Sequence, residues 1–383
     1  MLNSMNWIKD SLVILAVTLL LMELVSFVAS KNKLFLVNEV PRVYQRASVP
    51  SIDYGRTEFH PWGAWHAKNG AYRHKKNDCF DVEMHFNEVG ARDKSFDNID
   101  RNSIFLLGDS FAEGYGVEYS QMAQTHLELA TGIEFLNFGS AGNFGPLQEL
   151  LLYQNFQSLP HAGIVVFFLP SNDFQDNDQN YWSVRDRQRY RPYFSSGKNS
   201  LEPYYFPEAI PRESFFSNSL GAVSLVIKEN FWTSNAIRSA LMFARGQTEW
   251  KKEVRKAKRN TRGHYYNASP AQQSNIVLAY DKLAEVAGPK RDIVIVVIPS
   301  KGDVSQYKKL QNPKSYKTMP WFKGLEDIDR KTENRVLVLD LMEYLPNDPA
   351  DIFFSCDGHW SPKGNIWAAS EIAAFLKRER VFQ

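Results

Sequence analysis

The sequence predicts an α/β protein built on a parallel sheet, and three observations carry that prediction. From residue 103 onward, apolar strand-like runs alternate with helix-like segments, the pattern of a sheet covered on both faces. Successive runs end on small or polar residues, as expected at the carboxyl edge of an open sheet. The chain has 383 residues, 44% hydrophobic and 14% aromatic, enough for a sizeable core.

In chain order, the apolar run 12–29 is interrupted by Thr18, Glu23 and Ser26 and is about long enough to cross a ~30 Å hydrocarbon core. A spanning helix is preferred to a cleaved signal. Val28-Ala29-Ser30 is an acceptable cleavage site, but Lys9 is offset by Asp10 and the run exceeds the usual signal length. Glu23 within the run is expected to be protonated or to face a partner. Lys9 before the run and Lys31 and Lys33 after it leave orientation open, so placing the main domain outside the cytoplasm rests on the architecture. The expected organisation is a tail at 1–11, an anchor at 12–30, a lead-in at 31–100 that wraps the main domain, and that domain at 101–383, with an insertion at about 175–265.

The lead-in is aromatic and polar, with turn signals at Pro41, Pro50, Pro61 and Gly63; residues 79–86 alternate like a half-buried strand. The main domain then reads as strand 103–107, helix 118–130, strand 133–138, helix 146–157 and strand 163–169. After the insertion, which carries one helix expected at 220–245, come helix 270–286, strand 292–298, an irregular stretch with Trp321, strand 335–341 and a closing helix 362–380.

A formal net charge of +2 gives no global field for nucleic acid. Two cysteines, Cys79 and Cys356, exclude a cysteine-rich zinc module. In an oxidising compartment they would be free to pair, pinning the lead-in strand beside the turn around residue 357; two buried thiols are the alternative. No His-Glu-x-x-His pair, spaced Cys/His cluster or phosphate-binding Gly-rich Lys loop occurs, so no metal or cofactor is expected. The basic run 251–259 with Arg262 reads by default as a solvated helix face, and otherwise as a contact for anionic lipid or acidic polysaccharide. Tyr181, Trp182, Tyr190, Tyr193, Tyr204 and Tyr205 would either stack on sugar rings or form the insertion's own small core.

Ile104-Phe105-Leu106-Leu107-Gly108-Asp109-Ser110 reads as a buried strand stopping on a polar turn, which presents Ser110 to a cleft as a candidate nucleophile. Serine needs a base, an acid that orients the base, and donors for the oxyanion. His359, in Cys356-Asp357-Gly358-His359-Trp360, is the base candidate at a strand-to-helix turn; Gly139 and Gly142 after the second strand and Asn172 after the third are donor candidates. Asp109 is expected to support the turn, and Trp360 to pack.

These blocks resemble, in order, the SGNH (GDSL-like) hydrolases: Gly108-Asp109-Ser110, Gly142 five residues after Asn137, Asn172-Asp173, and a C-terminal Asp/His block. The resemblance covers roughly 103–173 and 290–380. It implies a three-layer α/β/α, flavodoxin-like sheet, Ser110 as nucleophile, His359 as base, and an oxyanion hole from the N–H groups of Ser110 and Gly142 with the Asn172 side chain. Two departures stand out: Pro170-Ser171 occupy the place of the family's glycine, and the acid's usual position, three before the histidine, is Cys356. Asp357-x-His359-Trp360 resembles the variant of alginate-type polysaccharide O-acetyltransferases, which implies Asp357 as acid and weights acyl transfer on polysaccharide. The segment Asn87 to Asp93 resembles the preface of membrane-anchored bacterial members. The resemblance thus implies a serine esterase acting on acyl, in particular acetyl, esters of envelope or extracellular carbohydrate. The alternatives are an O-acyltransferase with the same site, working with envelope polysaccharide machinery, and a non-catalytic polysaccharide-binding envelope protein.

Overall fold

The computed structural model describes residues 2–31, 56–76, 79–184, 187, 190–195, 201–209, 231–234, 236–237, 268–309, 319–329 and 333–382. Two compact units result, one of residues 1–50 with 212–261 and the other of 51–211 with 262–383.

In the first unit one helix, Leu2–Lys31, carries an exposed apolar stretch Lys9–Ala29 of mean hydropathy 2.6, long and apolar enough to cross a membrane. Glu23 is bonded within the chain itself: its carboxyl group accepts the backbone N–H groups of Trp232 and Thr233, the latter at 3.0 Å, and Phe27 packs edge-on against Trp232. Those donors offset the cost of a carboxylate on an apolar helix. Most of the helix expected at 220–245 and the basic run 251–262 lie outside the described residues.

The second unit is organised by five parallel strands, β5 (Ile104–Gly108), β6 (Phe135–Asn137), β7 (Gly163–Phe168), β10 (Asp292–Val297) and β11 (Arg335–Asp340), in the order β11-β10-β7-β5-β6. Every residue of β5, β6 and β7 is buried, which is why Ile-Phe-Leu-Leu-Gly and Gly-Ile-Val-Val-Phe-Phe show no alternation. On one face helix Ala123–Thr131 packs with Pro362–Glu379; on the other Pro146–Phe156 and Pro320–Glu326 pack with Pro270–Ala287. Numbered along the chain the sheet reads 2-1-3-4-5, the flavodoxin-like order, and the direction of winding switches between β5 and β7. A crevice opens at such a point beyond the strands' carboxyl ends, where Ser110 and Asn172 stand.

The long helices start where their caps dictate. Ser269 accepts the N–H of Gln272 ahead of Pro270, and Ser361 accepts that of Gly364 ahead of Pro362. Elsewhere the chain departs from the sequence expectation. The helix expected at 118–130 is a 3-10 turn, Tyr119–Gln121, followed by Ala123–Thr131, with Met122 extended between them. The irregular stretch around Trp321 contains helices Lys301–Lys309 and Pro320–Glu326, and Trp321 is buried against Phe168 and Phe174. The second of these is held by tertiary burial of Trp321, Phe322 and Leu325 rather than by its own periodicity.

Among the described residues, the lead-in holds four strands where one was expected. β1 (Arg56–His60) pairs with β2 (Gly63–His66), and β3 (Ala71–Lys76) with β4 (Phe80–His85), both antiparallel. β4 alternates as its sequence predicts, burying Phe80, Val82 and Met84. In the insertion Tyr193, Phe206 and Ala209 form a small core with Trp182, Tyr190 and Tyr204 packed on it, and β8 (Tyr193–Phe194) pairs with β9 (Pro203–Tyr204).

Candidate active site

The site begins at the last residue of β5. Gly108 has φ +147°, and a Cβ there would lie 2.9 Å from the Phe167 Cβ and 3.0 Å from the Ala112 Cβ, so glycine alone allows this turn to lie so close to β7. Asp109 caps the short helix Ser110–Glu113 by accepting the Phe111 N–H at 2.9 Å, which places Ser110 at its first position. Burial pushes the Asp109 carboxyl up to about 6, against the stabilising Phe111 N–H.

The second half of the site comes from the loop before the C-terminal helix. A bridge between Phe353 and Trp360, with the Phe354 N–H donating to the His359 carbonyl at 3.0 Å, closes the loop on itself. Trp360 anchors it, buried against Phe111 and Phe167. His359 is thereby turned so that its Nε2 stands 2.8 Å from Ser110 Oγ. Its Nδ1 lies 2.5 Å from Asp357 Oδ1, which also accepts the His359 backbone N–H at 3.0 Å. Lys76 Nζ lies 2.5 Å from the other oxygen, Asp357 Oδ2. Burial raises the Asp357 carboxyl, but the hydrogen bonds from His359 and Lys76 outweigh it and hold the group below the usual carboxylate range. Tyr115 stacks on the imidazole with ring centroids 4.0 Å apart. Cys79 and Cys356 are joined by a disulfide, their Cα atoms 5.7 Å apart, which ties the β3–β4 turn to this loop.

Ser110, His359 and Asp357 therefore converge. Asn172 comes close as well: it lies in the first turn of helix Pro170–Asp176, and its Nδ2 donates to Asp109 Oδ2 at 3.3 Å. Pro170, where the resemblance expects glycine, is at the first position of that helix, where its missing N–H costs nothing. Gly142 lies on an exposed turn at φ +86°, and its carbonyl accepts from Arg191 Nη2 at 3.1 Å. Behind it Asn137 ties the glycine turn to the Ser110–Glu113 helix, accepting the Gly139 N–H at 2.8 Å and donating to the Ala112 carbonyl at 2.8 Å.

Residues that sequence reasoning did not single out support both halves. Lys76 and Tyr115 carry no motif. Arg92 and Asp93 lie in the Asn87–Asp93 preface, where their signal was legible but their purpose was not. Asn87 Oδ1 accepts the N–H groups of Val89 and Ala91 and builds the turn. Gly90, at φ +82°, passes so near Trp65 and the His66 carbonyl that no Cβ would fit. The buried Arg92 then donates to the carbonyls of Glu113, Gly114 and Val117 at the end of the Ser110–Glu113 helix, and Asp93 accepts from the Asn137 N–H, Gln124 and Tyr119.

His74, on β3, packs edge-on against Tyr115 and Phe80. Burial lowers it from 6.5 to about 4, against the opposing pull of Glu113. The fold holds it neutral, whereas the unfolded chain takes up a proton near 6.5, so stability is complete above that pH and is lost as pH falls toward 4. The expected loss between pH 7 and pH 4 is about 3 kcal/mol from this group. In urea titrations at the two pH values, His74→Phe should shrink the wild-type difference by that amount; an unchanged difference would contradict the neutral assignment.

Residues 258–383 match the family model described as the SGNH hydrolase-like domain of the acetyltransferase AlgX. The match takes in the Asp357–His359 loop and leaves Ser110, Gly142 and Asn172 outside it. Three solved structures are similar: a lipolytic protein of the G-D-S-L family from Desulfitobacterium hafniense (11% identity, TM-score 0.30, covering 71% of this chain and 98% of that one), an acetyl xylan esterase, Est2A, from the rumen bacterium Butyrivibrio proteoclasticus (11%, 0.35, 75% and 66%), and a GDSL-like lipase from Bacteroides ovatus (10%, 0.32, 74% and 54%). No curated protein matches. Over residues 258–383 the chain is thus similar to an SGNH hydrolase-like domain, and its parallel sheet has the flavodoxin-like order. The match supports an activity on acyl esters, by hydrolysis or by transfer.

Proposed function

We propose that this chain is a serine esterase that removes acyl groups, in particular acetyl, from an envelope or extracellular carbohydrate through a covalent ester on Ser110. The 2.8 Å approach of Ser110 Oγ to His359 Nε2 carries this reading. In the proposed reaction Ser110 Oγ attacks the ester carbonyl while its proton passes to His359 Nε2. Asp357 accepts the Nδ1–H, fixes the tautomer and stabilises the imidazolium. The N–H groups of Ser110 and Gly142 with the Asn172 amide are assigned to the oxyanion. Asn172 would have to leave its long contact with Asp109 to reach it. Collapse of the tetrahedral intermediate breaks the ester bond, and His359 returns the proton to the departing sugar hydroxyl. Water then attacks the Ser110 ester with His359 again as base, releasing acetate and free enzyme.

A second reading, transfer, draws support from the acetyltransferase domain matched over residues 258–383. There a sugar hydroxyl replaces water in the last step. In either reading the Lys9–Ala29 helix anchors the protein in a bacterial membrane with the catalytic unit outside the cytoplasm. The test is to mix the full chain, in detergent, with an acetylated polysaccharide and quench with acid. The peptide containing Ser110 should gain one acetyl group; a chain that turns over acetyl without that adduct, even under rapid quench, would refute the covalent route. Adding a bare polysaccharide separates the readings, since hydrolysis releases acetate whether or not acceptor is present, whereas transfer places acetyl on the acceptor.

A further inference from the structure

Asp357 is held from two directions. The loop that carries it supplies two donors to Oδ1, the His359 ring and backbone N–H groups, and Lys76 supplies the donor to Oδ2 from the last residue of β3. With both oxygens committed, the carboxylate cannot rotate about its own bond without breaking a contact. Lys76 has little freedom to leave, because three residues further on Cys79 is bonded to Cys356, the neighbour of Asp357. An ion pair between two exposed side chains would be worth little. Here the Asp357 side chain is 10% exposed and the Lys76 side chain 43%, so one partner is largely withdrawn from water and the other arrives on a stapled hairpin.

We propose that Lys76 is a positioning residue of the acid–base relay: it fixes the orientation of Asp357 and shares that carboxylate with His359, so that removing the lysine leaves the carboxylate to the imidazole alone. This rests on the roles proposed above for Ser110, His359 and Asp357. The other groups facing His359 do not duplicate the effect. His74, on the same strand, is kept neutral by burial, Tyr115 presents its ring face, and Asp109 is an acid. Lys301 donates to the Phe354 carbonyl, at the other end of the loop. Among the described residues Lys76 is thus the cation in contact with the acid, and the lead-in is a working part of the site rather than a wrapping.

A fluorophosphonate tests this independently of whether the acyl acceptor is water or sugar. Ser110 Oγ forms a bond to phosphorus, the P–F bond breaks, fluoride leaves and the serine proton passes to His359. The cysteines are paired, so no thiol competes for the reagent. Labelling rates would be measured from pH 5 to pH 9 on the full chain in detergent, with peptide mapping to Ser110. For Lys76→Met the rate at pH 7 should fall roughly tenfold, well short of the ~10⁴-fold expected for losing the acid itself. Its acid limb should move up by about half a pH unit, the effect of a charge a few ångströms away at high effective dielectric. Lys76→Arg should keep the wild-type limb. Lys76→Gln, which retains a donor without the charge, stands in if the methionine variant does not fold; it should shift the limb as well. A limb that stays in place in the neutral variants overturns the proposal, whether the rate is unchanged or uniformly slowed, the latter being a merely structural role. The two levels of failure remain distinct. A wild-type chain that is not labelled at Ser110 ends the nucleophile reading and this one with it, whereas wild-type labelling with an unmoved limb removes Lys76 alone.

Discussion

Replacing Ser110 with alanine should lower kcat/KM for release of a chromogenic acetate by roughly 10⁴-fold or more, by analogy with loss of the nucleophile in other serine hydrolases. The substitution removes one oxygen from a residue that is 5% exposed at the first turn of a short helix, so its stability should stay within about 1 kcal/mol of the parent. The size of the loss follows from the site's arrangement. His359, the proposed base, has no other hydroxyl described in contact with its Nε2, and Asp357 would orient the ring but not attack. Rates would be measured beside thermal melts, so that loss of chemistry is separated from loss of fold. Activity that survives with a normal melt would remove Ser110 from the mechanism, and equal inactivity of both proteins on this ester would direct the search to a sugar acceptor.

The second large effect is on stability. Arg92→Ala is expected to cost about 4 kcal/mol, read as a fall in the urea midpoint at constant slope. Arg92 is 1% exposed, and its guanidinium satisfies three carbonyls, those of Glu113, Gly114 and Val117, at and just past the end of the Ser110–Glu113 helix. Truncation leaves those carbonyls without this donor in a buried place and opens a cavity where the stem lay. Lysine has one head where arginine has a fork, so Arg92→Lys should recover only part of the loss. A change of less than about 1 kcal/mol would mean that the three carbonyls find water or another donor. Because those carbonyls close the turn that presents Ser110, ester cleavage by the surviving folded fraction should fall too.

The resemblance brought together Ser110, His359 and Asp357 from positions 249 and 2 residues apart, because the chemistry expected of a serine nucleophile limits the residue types that would serve. The parallel sheet was legible for its own reason: β5, β7 and β10 are buried on both faces, and their uninterrupted apolar composition records it. The lead-in was far less legible. β3, Ala-Tyr-Arg-His-Lys-Lys, has no apolar alternation; it is held by its pairing with β4. Nothing local distinguishes Lys76 from any other surface lysine. The preface around Arg92 is the intermediate case, since its residue types were visible but the carbonyls they serve lie more than twenty positions downstream.

By itself, then, the sequence determined the elements whose cause is local or periodic: the apolar helix at Lys9–Ala29, the buried strands, the capped helices at 270 and 362, and the small, polar strand ends that hold the chemistry. Only the tertiary structure decided which side of Asp357 is occupied by Lys76, that Cys79 meets Cys356, and that Arg92 closes the turn behind Ser110. The reason is physical. A strand's burial or a helix cap is written in neighbouring residues, whereas a contact between segments 281 residues apart, as for Lys76 and Asp357, depends on the path of the whole chain between them.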